Sequence, residues 1–259
     1  MRLHVLQPIR KGRPLPIATM REEFARAYAD HCASKPFPIS QRFPVLSMPG
    51  TNAKLAKGSI ATYGLSLAPA DASGYELCAW RSAECTAACL GIRAGRSRMT
   101  SVQRARIRKT RRMVQQPYAF MRSMLMELES ARRAHRDRFA LRLNVFSDLD
   151  WQSLAPFLLS YGRFHYDYTK SPAKALRSIG SLYPLTLSHS GYNWPDCEQV
   201  LQRGGNVAVV FDGTIPTTFK GYRVIDGDRT DNRWRDPRGV IVGLVAKGNP
   251  EPSAFIVTQ

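Results

Sequence analysis

The sequence contains no apolar run that approaches the roughly 18 residues needed to span a bilayer, so we expect no membrane partner. Residues Met1 to Pro16 lack the apolar stretch of a secretory signal. Cysteine is scarce, with five residues in 259, and an odd, partly clustered set does not suit a disulfide framework. These absences favour a reducing compartment, and we expect a cytoplasmic protein.

Acidic side chains are also few, with 20 Asp and Glu against 38 Lys and Arg, which gives a net charge of +18. Between Leu90 and Arg142 there are fifteen basic and three acidic side chains. A concentrated basic face is typical of proteins that bind nucleic acid or another polyanion, which we expect as the partner. The alternative is a solvated helix whose arginines also cover apolar surface. The candidate contacts are Arg93, Arg96, Arg98, Arg104, Arg108, Arg111 and Arg112.

Three of the five cysteines, Cys78, Cys85 and Cys89, lie within twelve residues in the spacing Cys-x6-Cys-x3-Cys. Short loops cost little entropy to close, so the three thiols can converge. Thiolates are the ligands that iron–sulfur clusters, zinc and copper(I) prefer. The pattern predicts one metal centre, with a [4Fe–4S] cluster favoured and zinc as the alternative.

The number of clustered cysteines is one short of a complete ligand set. Structural zinc sites use four ligands, and a typical [4Fe–4S] cluster uses four cysteines. Either a distant residue completes the site (Cys32, Cys197 or a histidine), or one position stays open for a substrate or co-substrate. The other interpretations are unconnected thiols and a disulfide with one cysteine left over. The polar, turn-like surroundings, including Arg81 and Ser82, favour the metal centre.

The chain divides into an irregular arm and a regular domain. Prolines punctuate residues 1–58, where one helix is predicted from Met20 to about Cys32. Strands are predicted at 59–67, 139–146, 163–168, 183–188, 206–211, 222–225 and 239–245, and helices at 101–134, 151–161, 172–179 and 196–203. Strands alternating with helices indicate βα units and a parallel sheet. We expect an α/β fold over 59–259, a partial or complete (β/α) barrel like the TIM barrel, with the arm packed on it and the cysteines in a loop at 75–99. A doubly wound open sheet is the alternative.

Polar residues follow most of the predicted strands. In a parallel barrel the chemistry lies where strands end and βα loops begin, so these residues are candidates for one site. For acid–base catalysis they are Asp148, Asp167, Lys170, His189, Asp226 and Asp228. For cofactor binding they are Asn144, Ser147, Ser188 and Asp212. Structural roles are the alternative: a cap of the helix at Trp151 for Asp148 or Asp150, a turn for Asp212, and a hydrogen-bonded core position for His189.

Several segments together resemble a family of uncharacterised proteins that bacteriophages and mobile elements encode. They are Cys-x6-Cys-x3-Cys, RLNVFSDLDW, FHYDYTK, LTLSHS, GGNVAVVF, VIDGDRTDNRWRDP and GVIVGLVAKG. The resemblance extends from about Asn52 to the C-terminus and implies no activity.

A second resemblance is architectural. A strand followed by a three-cysteine loop and then by βα units looks like the radical S-adenosylmethionine enzymes, in which three cysteines bind a [4Fe–4S] cluster and S-adenosylmethionine occupies the fourth iron. The chain departs from their spacing, Cys-x3-Cys-x2-Cys, and has Phe146-Ser147-Asp148 where they have a Gly-Gly-Glu stretch.

Three functions follow from these observations. The first is an iron–sulfur enzyme with radical or redox chemistry on or near nucleic acid. The second is a non-catalytic nucleic-acid-binding protein with a structural metal site. The third is a structural or assembly protein of a phage-like element. The sequence has no signal for the oligomeric state.

Overall fold

The computed structural model describes residues 12–50, 60–247 and 253–258. The helices in these ranges are α1 (Ile17–Cys32), α2 (Ala83–Ala87), α3 (Leu90–Arg93), α4 (Thr100–Gln115), α5 (Pro117–His135), α6 (Trp151–Leu154), α7 (Pro172–Ser178) and α8 (Trp194–Gln202). The strands are β1 (Leu46–Ser47), β2 (Ala61–Leu65), β3 (Phe139–Arg142), β4 (Phe164–His165), β5 (Asp167–Thr169), β6 (Leu185–Ser188), β7 (Val207–Phe211), β8 (Thr218–Phe219), β9 (Tyr222–Asp226), β10 (Ile241–Val245) and β11 (Ile256–Val257).

The strands form two mixed sheets. The first has the order β1-β2-β3-β4, in which only the β1–β2 pairing is antiparallel. The second has the order β5-β6-β7-β10-β9-β8, with β11 also paired to β7, and only the β8–β9 pairing is antiparallel. The predicted α/β class is therefore confirmed. Within the described ranges one sheet ends at β1 and β4 and the other at β5 and β8, and no closed barrel is detected.

Parallel strands flanked by helices are buried on both faces, which explains their nearly continuous apolar sequences. All four residues of β6 are buried, as are four of the five residues of β7. Only Tyr166 separates β4 from β5, so the single strand predicted at 163–168 is divided between the two sheets.

The helix predicted at 101–134 is interrupted at Gln116, whose backbone is non-helical at φ −135° and ψ 53°. Pro117 begins α5, and a proline disfavours helical geometry in the residue before it. Similarly, the helix predicted at 151–161 is divided into α6, which ends at Leu154, and a 3-10 helix over Pro156–Ser160.

Two apolar clusters form the main core. One joins α1 and α5 to β2 and β3, and in it Phe24 stacks on Phe120 and on Trp151 with ring centroids 6.3 Å apart. The other lies around β6, β7 and β10 and includes Cys197 and Phe211.

Residues 12–50 share the first of these clusters. Met20 and Phe24 of α1 are fully buried, and β1 pairs with β2. The predicted boundary between residues 58 and 59 lies outside the described residues. Nowhere in the described ranges is a helix both long and apolar enough to cross a bilayer.

Candidate metal centre at the strand ends

The cysteine loop, residues 66–99, connects β2 to α4. Cys78 precedes α2, Cys85 lies within it, and Cys89 is the N-terminal cap residue of α3. The Ser82 hydroxyl accepts a hydrogen bond from the amide of Cys85 at 3.1 Å and starts the α2 turn. All three thiols are partly buried and none forms a disulfide.

Buried polar contacts fix the first half of the cysteine loop. The guanidinium of Arg81 pairs with the carboxylate of Glu76, and both side chains are 4% exposed. The same carboxylate accepts a hydrogen bond from the amide of Cys78 at 2.9 Å. Asp71 lies 3.6 Å from Arg81 on its other side. Because Glu76 contacts both Cys78 and Arg81, the backbone at Cys78 is held in place.

Arg106 of α4 fixes the second half. It donates hydrogen bonds to the Gly91 carbonyl at 2.8 Å and to the Ser97 hydroxyl at 3.1 Å. Its guanidinium also lies 4.0 Å from the centroid of the Phe146 ring, in the loop after β3. The basic helix therefore anchors the cysteine loop through an arginine that is not among the seven predicted nucleic-acid contacts.

The thiols influence one another electrostatically. Burial raises the pKa of Cys78, and the charges of Asp148, Cys85 and Cys89 raise it further. Burial likewise raises the pKa of Cys89, with Cys85 adding to the effect and Lys170 opposing it. Such thiols stay protonated unless a cation replaces the proton. The donor set, three unpaired thiols on one loop, has the chemistry that an iron–sulfur cluster or zinc takes. Among the described residues, no three His, Cys, Asp or Glu side chains are arranged to hold a metal ion.

Asp148 connects the cysteine loop to the ends of two strands. Its amide donates a hydrogen bond to the Leu77 carbonyl at 2.9 Å. Its carboxylate accepts hydrogen bonds from the Thr169 hydroxyl at 2.8 Å and from the Lys170 amide at 2.9 Å. The ammonium of Lys174 on α7 pairs with the same carboxylate. Asp148 does not cap α6, since Asp150 occupies that position.

Lys170 and His189 follow β5 and β6, respectively. The His189 ring is 6% exposed, and its Nδ1 has no hydrogen-bond partner among the described residues. Burial, with the charges of Lys220 and Lys170, lowers the pKa of His189 to about 4. The charge of Lys170 also opposes the rise in the pKa of Cys89, so Lys170 acts electrostatically on both residues.

Asp167 lies in a different, fully buried network. Its carboxylate accepts hydrogen bonds from the amides of Leu143 and Asn144, both at 2.8 Å, and from the Tyr183 hydroxyl at 2.5 Å. Arg142 lies 3.2 Å away and also pairs with Asp231 at 2.8 Å. Burial raises the pKa of Asp167 to about 6, against the effect of Arg142. These contacts hold the end of β3 against the start of β5.

The remaining predicted catalytic residues, Asp226 and Asp228, lie at the end of β9. Asp226 accepts a hydrogen bond from the Asp228 amide at 2.8 Å. Asp228 accepts one from the Val245 amide at 2.9 Å and pairs with Lys247 at 2.7 Å. These contacts tie the end of β9 to the end of β10.

The predicted cofactor-binding residues are spread over three strand ends. The Asn144 side chain accepts hydrogen bonds from the Ser147 hydroxyl at 2.8 Å and the Leu149 amide at 2.9 Å, which shapes the loop after β3. Ser188 is buried at the end of β6. Asp212 is exposed after β7, and its amide bonds to the Val257 carbonyl at 2.9 Å.

The seven predicted nucleic-acid contacts are all exposed. Two of them also have structural contacts: Arg111 donates to the Ser73 carbonyl at 3.1 Å, and Arg112 lies 4.5 Å from the Phe43 ring centroid. The other five form no hydrogen bond or ion pair with another described residue. Two cavities of about 560 Å³ lie elsewhere, one lined by Tyr28 and Arg122 and the other by Phe43 and Tyr63.

The sequence did not identify Lys174, Arg106 or Tyr183 as site residues. Lys174 and Tyr183 bind the carboxylates of Asp148 and Asp167, and Arg106 binds the cysteine loop. Lys174 lies in α7 and Tyr183 just before β6, and both have apolar neighbours. Their local sequence therefore does not indicate that they bind carboxylates. Asp231 lies in the segment DGDRTDNRW, whose three aspartates could have indicated an ion-pair network.

The fold and this site define an α/β protein with parallel strands and a cysteine-bearing loop at their carboxyl ends. The family model described as Gene product 88 matches residues 44–259, and the chain belongs to this phage-type family. The first resemblance noted in the sequence is thereby confirmed at the level of a phage-type family. No curated protein and no solved structure matches the chain.

Proposed function

We propose that the protein binds a [4Fe–4S] cluster through Cys78, Cys85 and Cys89 and is an enzyme that acts on or near nucleic acid. The observation that supports this most directly is the placement of three unpaired thiols on one braced loop at the carboxyl ends of parallel strands. In parallel α/β folds this is the edge where active sites occur. In the first sheet β2, β3 and β4 are parallel and follow the order of the chain, and so do β5, β6 and β7 in the second. This order supports a partial barrel.

The three cysteines would hold the cluster, and an iron–sulfur cluster supplies one-electron chemistry. Three thiolates leave one iron without a protein ligand. This is the position that S-adenosylmethionine takes in the radical enzymes that the sequence resembles, and we propose it as a co-substrate position here. Lys170 favours the thiolate of Cys89 electrostatically, while Asp148 and Glu76 fix the backbone around Cys78.

Anaerobic purification with quantification of iron and acid-labile sulfide tests the proposal. We expect both elements in the wild-type protein, their loss in Cys85→Ser, and wild-type content in Cys32→Ser. Cys32 is a matched control because it is exposed at the end of α1, outside the cysteine loop. Unchanged iron in Cys85→Ser would rule out the cluster. A changed electron paramagnetic resonance spectrum of the reduced protein on adding S-adenosylmethionine would support the open position.

A second candidate function is non-catalytic nucleic-acid binding with a structural metal, either iron–sulfur or zinc. The exposed arginines beside the cysteine loop favour it, and a structural metal often folds the segment that holds it. A colourless protein with one tightly held zinc, and with nucleic-acid affinity that chelation abolishes, would select this function.

A further inference from the structure

Two buried polar atoms at the end of β6 have no hydrogen-bond partner among the described residues. They are Nδ1 of His189 and the hydroxyl oxygen of Ser190, in residues that are 6% and 2% exposed. Buried polar groups are almost always hydrogen-bonded, because leaving one unpaired costs free energy. Two such atoms on consecutive residues therefore indicate a missing ligand.

Two ammonium groups lie beside them without a carboxylate partner in the described ranges. Lys170 follows β5, and its Nζ lies 5.6 Å from the Phe255 ring centroid. Lys220 lies between β8 and β9, with its Nζ 5.0 Å from the Trp194 ring centroid. Trp194 in turn contacts the His189 ring edge-on, with centroids 6.1 Å apart. Phe255 follows Ala254, which lies against Gly191, the residue after Ser190, so the contact of Lys170 with Phe255 brings it to the same end of β6. The charges of both lysines also lower the pKa of His189.

We infer that Lys170, His189, Ser190 and Lys220 form a subsite that binds a phosphate group. Two cations, a neutral imidazole and a hydroxyl provide more donors than the two oxygens of a carboxylate can use, and they suit a tetrahedral oxyanion. Two other lysines at strand ends have an acidic partner: Lys174 pairs with Asp148, and Lys247 pairs with Asp228. The positive charge at Lys170 and Lys220 is thus left for a ligand.

The subsite rests on these four residues alone, while its role as the substrate-binding part of the site rests on the proposed function. Lys170 connects the subsite with the proposed cluster site, because its charge acts on Cys89 as well as on His189. A phosphate bound here would place the rest of a nucleotide at the strand ends, close to the cysteine loop.

Calorimetric titration of the full chain with inorganic phosphate and with a 5′-mononucleotide tests the inference. We expect binding to the wild type, weakened at least about tenfold in Lys170→Ala and in Lys220→Ala, because a charge-assisted hydrogen bond is lost in each. Lys35→Ala is the matched control, since that lysine pairs with Asp30 at 2.7 Å near the end of α1. Equal affinity in all three variants, or no binding to the wild type, would overturn the subsite.

A measurement on the unmutated protein avoids any dependence on variant folding. Phosphate is expected to slow acylation of Lys170 and Lys220 but not of Lys35, read by mass spectrometry. No protection would overturn the inference. Protection by a single-stranded oligonucleotide as well as the mononucleotide assigns the phosphate to the nucleic-acid backbone, and protection by the mononucleotide alone assigns it to a free nucleotide. Repeating the titration with Cys85→Ser separates the two proposals, because metal content reports on the cluster and phosphate affinity on the subsite.

Discussion

The amide of Asp148 donates a hydrogen bond to the carbonyl of Leu77 across 2.9 Å, one residue before Cys78. The carboxylate of the same aspartate accepts from Thr169 and Lys170 and pairs with Lys174. One residue thus joins the cysteine loop, the loop after β3 and the end of β5. These contacts hold the backbone before Cys78 against the strand ends.

Asp148→Ala should destabilise the protein by about 3–5 kcal/mol, because it leaves the buried ammonium of Lys174 without its partner. The two side chains are 5% and 10% exposed. Urea unfolding measures the change. Arg177→Ala is the control, since it breaks the exposed pair with Asp150 and should cost only about 0–1 kcal/mol. An equal loss of unfolding free energy in the two variants would show that the Asp148–Lys174 pair stabilises the protein no more than an exposed ion pair does.

Gly191 is in the left-handed region at φ +95°, and a Cβ there would lie 2.6 Å from the carbonyl carbon of Ala254. Gly213 has a similar φ of +82° with nothing near its Cβ position. Alanine at Gly213 should therefore cost about 1–2 kcal/mol for the backbone alone. Alanine at Gly191 should cost about 1–3 kcal/mol more, because the 253–258 segment must shift. Urea unfolding of both variants measures the difference, and matching values would mean that the close approach is absent.

Arg142 neutralises two buried carboxylates, Asp167 and Asp231, at 3.2 and 2.8 Å. Arg142→Met should cost about 3–5 kcal/mol at neutral pH, because both carboxylates lose their cation. The pKa of Asp167, which burial raises to about 6, should rise further without Arg142. The cost should accordingly be smaller at pH 5, where Asp167 takes up a proton. Arg163→Met, which changes an exposed residue next to β4, is the control, and urea unfolding of both variants at neutral pH and at pH 5 measures the difference.

The fold class could be predicted because buried parallel strands leave a direct signature in the sequence. The apolar runs at β6, β7 and β10 are recognisable without tertiary information. The continuous helix predicted at 101–134 was wrong because Pro117 interrupts the helical backbone at Gln116, while the apolar stripe continues past it. Tyr166 separates β4, in the first sheet, from β5, in the second. The pattern of apolar residues does not reveal this one-residue interruption.

The candidate site was predictable only in part, for a related reason. Cysteine spacing places three thiols on one loop, and strand ends place Lys170 and His189 at one edge. Whether a carboxylate faces the site or the interior depends on its partners across the sheet. Asp167 and Asp148 both follow the strand-end pattern, but one joins Arg142 and Tyr183 while the other joins Lys174. Those partners are 16 to 26 residues away in sequence, beyond any local motif.

His189 makes the stability depend on pH. Its pKa is about 4 in the folded protein, lowered by burial, Lys220 and Lys170, against about 6.5 for an unperturbed histidine. The unfolded chain therefore binds more protons between these values, and stability falls as the pH drops from about 6.5 to 4. The loss should reach on the order of 3 kcal/mol. His189→Gln should show a flatter profile in this window by urea unfolding, and parallel profiles would mean that the histidine titrates normally.

Removing an exposed arginine of α4 should have a different effect from removing the half-buried Arg106. Arg104 and Arg108 lie one turn apart, are exposed and form no hydrogen bond or ion pair with another described residue. Arg106 instead donates hydrogen bonds to Gly91 and Ser97. If α4 binds the phosphates of a nucleic acid, each of the variants Arg104→Ala and Arg108→Ala should weaken binding without changing the melting temperature. Each should also reduce the slope of log affinity against log salt by about 1.

Arg106→Ala should instead lower the melting temperature and the metal content, because the second half of the cysteine loop loses its anchor. Binding of a single-stranded oligonucleotide, followed by fluorescence anisotropy over a range of salt concentrations, gives the slopes. Glu84→Gln in α2 also changes the net charge by one unit, but it removes a negative charge and should leave the slope unchanged or slightly steeper. Unchanged slopes in Arg104→Ala and Arg108→Ala would exclude α4 from the interface, whatever the affinity of the whole protein, since counterion release follows the number of phosphates neutralised.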